Sequence, residues 1–182
     1  MQSTNTALSE FRRLMAEISP ATILFTGAKI WEGSHNFSHV ENAIHAKWVS
    51  NDIEDGDEVD VVCDLQRLDI DTSEKYEGIF SPATLEHVER PWLAIHAMSN
   101  CLNPGGVLFI HTHQTFPLHG YPHDYFRFSA EALKLMCSDS GLQVVETSYD
   151  CPCKIVPPSF VNDWNEDAES FLNVSICAVK PK

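Results

Sequence analysis

Basic residues are scarce. The 182 residues include 12 Lys and Arg against 26 Asp and Glu, a formal net charge of −14. The longest basic run is the pair Arg12-Arg13. Such a chain repels nucleic-acid phosphates and anionic lipid headgroups, so neither a nucleic acid nor a membrane surface is an expected partner. Long apolar runs are lacking too. Nothing approaches the roughly 18 residues of a membrane span. The opening, MQSTNTALSEFRRLMAEISP, carries no apolar stretch of signal-peptide length. No CxxC pair exists. Six cysteines are scattered at 63, 101, 137, 151, 153 and 177, and only Cys151-Pro152-Cys153 is close-spaced. Four lie in or beside apolar segments, as buried reduced thiols do, and the compartment reads as cytosolic. Internal repeats, low-complexity tracts and linkers are absent.

What is present is an ordinary globular composition, 43% hydrophobic and 21% charged. Length and core size point to one domain over 1–182. Leu8, Phe11, Leu14, Met15 and Ile18 recur at helical spacing before Pro20, so 6–18 is expected to be a helix. TILFT (22–26) reads as a buried strand ending at Gly27. Ser38 and Glu41 fit a capping box, with a short helix to about Ala46. KWVSND (47–52), VDVVCD (59–64) and GIFS (78–81) read as strands. Pro91 opens a helix with Trp92, Leu93, Ile95, Met98, Cys101 and Leu102 on its apolar face, stopped by Asn103-Pro104-Gly105-Gly106. VLFIHT (107–112) is a strand, and Ser129 caps a helix reaching Gly141. LQVVETSYD (142–150) and FLNVSICAVK (171–180) complete the set. Alternating strands and helices predict a mainly parallel sheet with helices on both faces. The last two strands have no helix between them and are expected to be antiparallel.

In such a sheet ligands bind outside the carboxyl ends of the strands. The loops after Thr26, Asp52, Asp64, Ser81 and Thr112 are therefore the site loops. The first holds Gly27, Ala28 and Lys29, with Gly33 further on, but no full dinucleotide fingerprint. The second opens with Asp52, whose two oxygens match a ribose diol; a solvated acidic turn is the alternative, since six of residues 51–60 are Asp or Glu. That stretch fails the spacing of a calcium loop. The third opens with Asp64-Leu65, suited to an adenine edge or to a plain polar strand end. The fourth contains Glu86 and His87, which on a helix point about 100° apart, so one of them is expected to orient the loop. The fifth is 15 residues long, 113–127, and rich in His and aromatics. His111, His113, His119 and His123 fall in or beside it, but their spacings match no strong metal pattern, so a rigid aromatic lid is expected and no metal. Pro117 and Pro122 limit its freedom, and Asp124 and Arg127 are close enough to pair across a turn.

Together these segments resemble the class I S-adenosylmethionine-dependent methyltransferases, in particular the small "type 11" branch. The resemblance is clearest over 47–146. WVSNDIEDGDEVDVVCDL is similar to that branch's second and third strands. IFSPATLEHVERPWLAIHAMSNCLNPGGVLFIHT is similar to its fourth strand, LEHV turn, helix and turn into strand five. FPLHGYPHDYFRFSAEALKLM resembles a lid with a P-x-D-Y-W-R-F-T-like run. The resemblance implies a Rossmann-like sheet of seven strands with an antiparallel last strand, S-adenosyl-L-methionine as cofactor, and methyl transfer to a small-molecule acceptor. It assigns Asp52 to the ribose, Asp64 and Leu65 to the adenine, Ser81 and Pro82 to the wall beside the sulfonium, and Gly27 to the glycine loop.

Two departures stand out. Phe25 occupies the usual acidic position before the glycine loop, and Lys29 replaces the next glycine. Lys29 is expected either to meet the methionyl carboxylate instead or to point into water. The Asn-Pro-Pro-Tyr signature of base methylation is absent. If the acceptor is a hydroxyl, His113, His119 and His123 are the candidate bases, because imidazole titrates near neutral pH. A non-catalytic binding protein that has lost the cofactor anchor is the first alternative, and a metal-dependent enzyme built on the His-rich loop the second.

Overall fold

The computed structural model describes residues 5–29, 37–71, 73–120, 122–161, 163–165 and 167–182. Helix α1 (Thr6–Ile18) forms where the apolar spacing predicts, burying Ala7, Phe11 and Met15. The Asn5 side chain caps it, accepting from the Leu8 N–H at 2.9 Å. Strand β1 (Thr22–Thr26) follows. Helix α2 (Ser38–Glu41) is a single turn and does not reach Ala46. Gly33, Tyr121 and the Ser38 side chain of the capping-box reading lie outside the described residues.

Strand β2 (Lys47–Asp52) matches its expected bounds, but β3 (Val61–Val62) is only two residues long. Parallel neighbours normally need a crossover of a dozen residues or more, usually a helix. Residues 53–60 supply eight and no helix, so pairing is confined to Asn51 with Val61 and Asp52 with Val62. Asp64 then caps a 3-10 turn (Leu65–Arg67), accepting from the Gln66 N–H. Helix α3 (Leu68–Asp71) and strand β4 (Tyr76–Pro82) lead to a second 3-10 turn (Leu85–His87). Helix α4 (Pro91–Cys101) begins on its proline and ends before strand β5 (Leu102–His113).

The Asn103–Gly106 segment stops α4, yet it runs as strand rather than turn. Gly105 adopts φ +83° and donates to Lys180, whose own N–H donates to Gly106. Helix α5 (Ala130–Asp139) has Ser129 as its cap. Strands β6 (Gln143–Cys153) and β7 (Ser170–Val179) close the chain. The expected end of β6 at Asp150 is overrun through Pro152, which is tolerated because β6 is an edge strand.

The sheet order is β3-β2-β1-β4-β5-β7-β6, parallel except for β7, which runs antiparallel to both neighbours. Alternation along the strands sorts the core into two layers. Ile23, Phe80, Phe109 and Cys177 face α1 and α2, where Phe80 stacks on Phe109 at 5.2 Å between ring centroids. Leu24, Ile79 and Leu108 face α4 and α5, meeting Ile95, Met98 and Leu133. The order reverses between β1 and β4, which opens a crevice at their carboxyl ends. Among the described residues no helix is long and apolar enough to cross a membrane.

Candidate functional site

The crevice has a volume of about 1080 Å³. Small-ligand clefts span roughly 300–1,000 Å³, so it has room for a cofactor and a second small molecule. Its floor begins at Gly27, in the left-handed region with φ +66°. A Cβ there would collide with Thr84 Oγ1, so the β1 turn and the loop after β4 close together only over glycine. Thr84 fastens that approach by donating to the carbonyls of Pro82 and Thr26.

Asp52 ends β2 at 9% exposure. Its Oδ2 accepts from the Lys29 N–H at 3.0 Å and its Oδ1 from the Glu54 N–H at 3.1 Å. Both oxygens are therefore aimed, and each keeps a second lone pair. Lys29 lines the crevice with its ammonium 2.7 Å from Glu54, which raises its pKa. Asp64 and Leu65 line the same wall, as does Pro82. Ser81 is separate from them. It is still inside the paired strand opposite Ile110, fully buried, accepting from Thr26 Oγ1 at 2.8 Å. Asn51, which the sequence reading passed over, is 1% exposed and also lines the crevice. Its amide donates to the carbonyls of Val61 and Cys63, holding β3 without a helix.

The lid after β5 folds over the opposite wall. Arg127 makes a two-pronged pair with Asp124, at 2.5 and 2.7 Å, and donates to the carbonyls of Phe116 and Pro117. Asp124 also accepts from the His119 N–H. The guanidinium holds the Asp124 carboxyl well below the usual carboxylate range. The lid docks on the turn after β4. The Glu86 carbonyl accepts from Tyr125 and Phe126, and His87 Nδ1 donates to the His123 carbonyl at 2.5 Å. Thus His87 orients the loop, and Glu86 turns inward.

His113, His119 and His123 all line the crevice. His113 is 5% exposed and stacked on Phe116 at 3.9 Å. Burial pushes its pKa down. Its Nδ1 lies 3.0 Å from Asn173 Oδ1 and its Nε2 lies 3.2 Å from Glu86 Oε1. Glu86 is fully buried, with Oε2 accepting from Thr112 at 2.7 Å. The inward carboxylate was missed because adjacency on paper says nothing of which neighbour faces the core.

This sheet order with an antiparallel seventh strand is the Rossmann-like fold of the class I S-adenosylmethionine-dependent methyltransferases. The family model for a methyltransferase domain matches residues 10–147, and the chain belongs to that family. Among solved structures, an S-adenosylmethionine-dependent methyltransferase from Archaeoglobus fulgidus superposes with a TM-score of 0.67 at 15% identity, covering 96% of this chain and 93% of that one. The 1,6-didemethyltoxoflavin-N1-methyltransferase of Burkholderia thailandensis, solved with 1,6-didemethyltoxoflavin and S-adenosylhomocysteine bound, gives 0.65 at 13%, covering 98% and 80%. The N-methyltransferase NodS of Bradyrhizobium japonicum, solved with S-adenosylhomocysteine, gives 0.62 at 15%, covering 96% and 86%. Comparison with curated proteins returns no match.

Proposed function

We propose that the chain, as one domain, binds S-adenosyl-L-methionine in the strand-end crevice and transfers its methyl group to a small-molecule acceptor. The observation that carries this reading is Asp52, a carboxylate at the switch-point floor with both oxygens oriented by backbone amides. A ribose diol can donate into the two remaining lone pairs. Gly27 lets the backbone approach the cofactor, Asp64 and Leu65 take the adenine side, and Pro82 walls the sulfonium with Ser81 behind it. Lys29 meets the methionyl carboxylate while sharing Glu54. The acceptor enters under the lid, where Phe116 and Tyr125 exclude water and His113, His119 and His123 stand ready to take its proton. Methyl transfer is a direct displacement at carbon, so alignment matters more than acid–base help. The bound small molecule in the Burkholderia neighbour supports an acceptor of that size class. All six cysteines are free thiols, which supports a reducing compartment such as the cytoplasm.

Calorimetry with S-adenosylmethionine and with S-adenosylhomocysteine tests the reading. Both should bind with one site per chain. Asp52→Ala removes charge-assisted acceptors, about 1.5–3 kcal/mol, so affinity should fall roughly 10- to 100-fold. Absence of binding to the unaltered protein, or unchanged affinity in Asp52→Ala, overturns it.

One observation favours a second reading. Phe25 packs on Phe37 and Phe80 where an acidic partner for the methionyl ammonium is usual. A binding protein without turnover is the consequence. It predicts no consumption of S-adenosylmethionine with any of a panel of small-molecule hydroxyls, thiols and amines.

A further inference from the structure

Three imidazoles meet one buried carboxylate oxygen beneath the lid. Glu86 Oε1 makes no hydrogen bond among the described residues, although its side chain is fully buried. Its sister oxygen is fixed by Thr112, so the carboxylate cannot rotate to a better partner without breaking that bond. A buried carboxylate oxygen with no partner is costly and calls for an explanation.

The neighbouring rings define what faces it. Asn173 donates through Nδ2 to Asp150 at 2.8 Å, so its Oδ1 must face His113. His113 therefore carries its proton on Nδ1 and presents the Nε2 lone pair to Glu86 Oε1 at 3.2 Å. Asp150 is itself held by Asn5, the cap of α1, so this tautomer is set by a chain of bonds running to the opposite face of the sheet. His87 donates from Nδ1 to the His123 carbonyl, and its Nε2 lies 4.0 Å from the same Glu86 oxygen. His119 turns Nδ1 toward the Pro117 carbonyl at 3.2 Å. Its ring sits edge-on to His87 at 4.8 Å and to His113 at 5.3 Å.

The bare His113 Nε2 and the unpartnered Glu86 oxygen repel unless a cation joins them. We propose that Glu86, His113 and His119 bind one divalent transition-metal ion of the zinc class. Ligand atoms from the first three lie within 4.8 Å of one another. Two tetrahedral zinc ligands at about 2.0–2.1 Å stand roughly 3.3 Å apart, which the 3.2 Å between His113 and Glu86 matches. With all ligand atoms within 4.8 Å of one another, His119 needs to draw in by at most about 1.5 Å, a small motion for a ring on the lid. Imidazole and carboxylate donors suit zinc and its first-row neighbours, and Asn173 is the outer partner such a histidine ligand requires. Because His113 and His119 line the crevice, the ion would present an open position to it. A hydroxyl or thiol bound there would ionise near neutral pH. That last consequence rests on the methyl-transfer reading, whereas the metal site does not. It also leaves His123 as the candidate base free of metal duty.

The test is titration of the full chain, stripped with chelator, with Zn2+ by calorimetry and Co2+ by visible absorption. One ion per chain should bind, with cobalt bands of a four- or five-coordinate nitrogen–oxygen site. Glu86→Gln and His119→Ala should each weaken binding at least tenfold, while the Cys151→Ser, Cys153→Ser double variant should bind as before. Glu86 is buried, and if its variant fails to fold, His119→Ala on the lid gives the answer alone. No stoichiometric binding overturns the proposal, as does binding indifferent to His119→Ala, or binding lost only with the cysteines. None of these readouts requires S-adenosylmethionine, so failure here is separable from failure of the cofactor assignment.

Discussion

Gly27 answers two demands at one position: a left-handed turn after β1 and contact with Thr84. Gly27→Ala should therefore carry both a backbone cost of about 1–2 kcal/mol and an overlap cost of about 1–3 kcal/mol. Thr84→Ala in the same chain should restore the overlap part only. Urea unfolding of both single variants and the double variant checks this; additive single effects would show that Thr84 is not the obstacle. Residues after strand ends were readable from the sequence because topology alone puts them at the crevice, as with Asp52, Asp64 and His113. Ser81 lies inside the strand, one residue before its paired end at Pro82, and its side chain turns into the sheet toward Thr26. Which of Glu86 and His87 orients the loop is not legible from their adjacency; the Glu86 carboxylate is directed by Thr112, 26 residues along the chain.

At the scale of elements, the lid is a loop given rigidity by one ion pair. Arg127 clamps Asp124 and three carbonyls, of Phe116, Pro117 and Phe126, so the 113–127 segment is held from within as well as docked on the turn after β4. Arg127→Met should speed amide exchange across 116–127 severalfold and leave the sheet protected. Uniform acceleration through β4 and β5 would contradict that. The same pair sets an acid dependence. Asp124 has its folded pKa depressed by Arg127, so its contribution is complete above the unfolded carboxyl value near 3.9 and is lost as pH falls through the folded one. Asp124→Asn should be less stable than the parent at pH 7, and the gap should narrow by pH 2.5. A gap constant with pH, measured by urea melts, would remove the pair from the account. The β2–β3 connection shows the opposite economy. Its acidic run folds back through Asp60, which accepts from the Ser50 N–H and hydroxyl at 2.9 Å, and no crossover helix is built.

For the whole molecule, a net charge of −14 means self-repulsion in the folded state. Screening should relieve it, so the melting temperature should rise between 10 mM and 0.3 M NaCl; about 1 kcal/mol would read as roughly 2–4 °C. A melting temperature that falls or stays level would place the charges in compensating pairs instead. The element order, the parallel sheet with its antiparallel close and the loops that meet the crevice were determined by the sequence alone, because hydrophobic period, caps and turn residues act over neighbouring positions. LEHV and NPGG at their spacing likewise carried the family. Only the tertiary structure decided that β3 shrinks to two residues, that Lys29 is already held by Glu54, and that Glu86, His113 and His119 share one pocket. Those relations join residues far apart in the chain through strand register and side-chain direction, and linear spacing contains no distance between them.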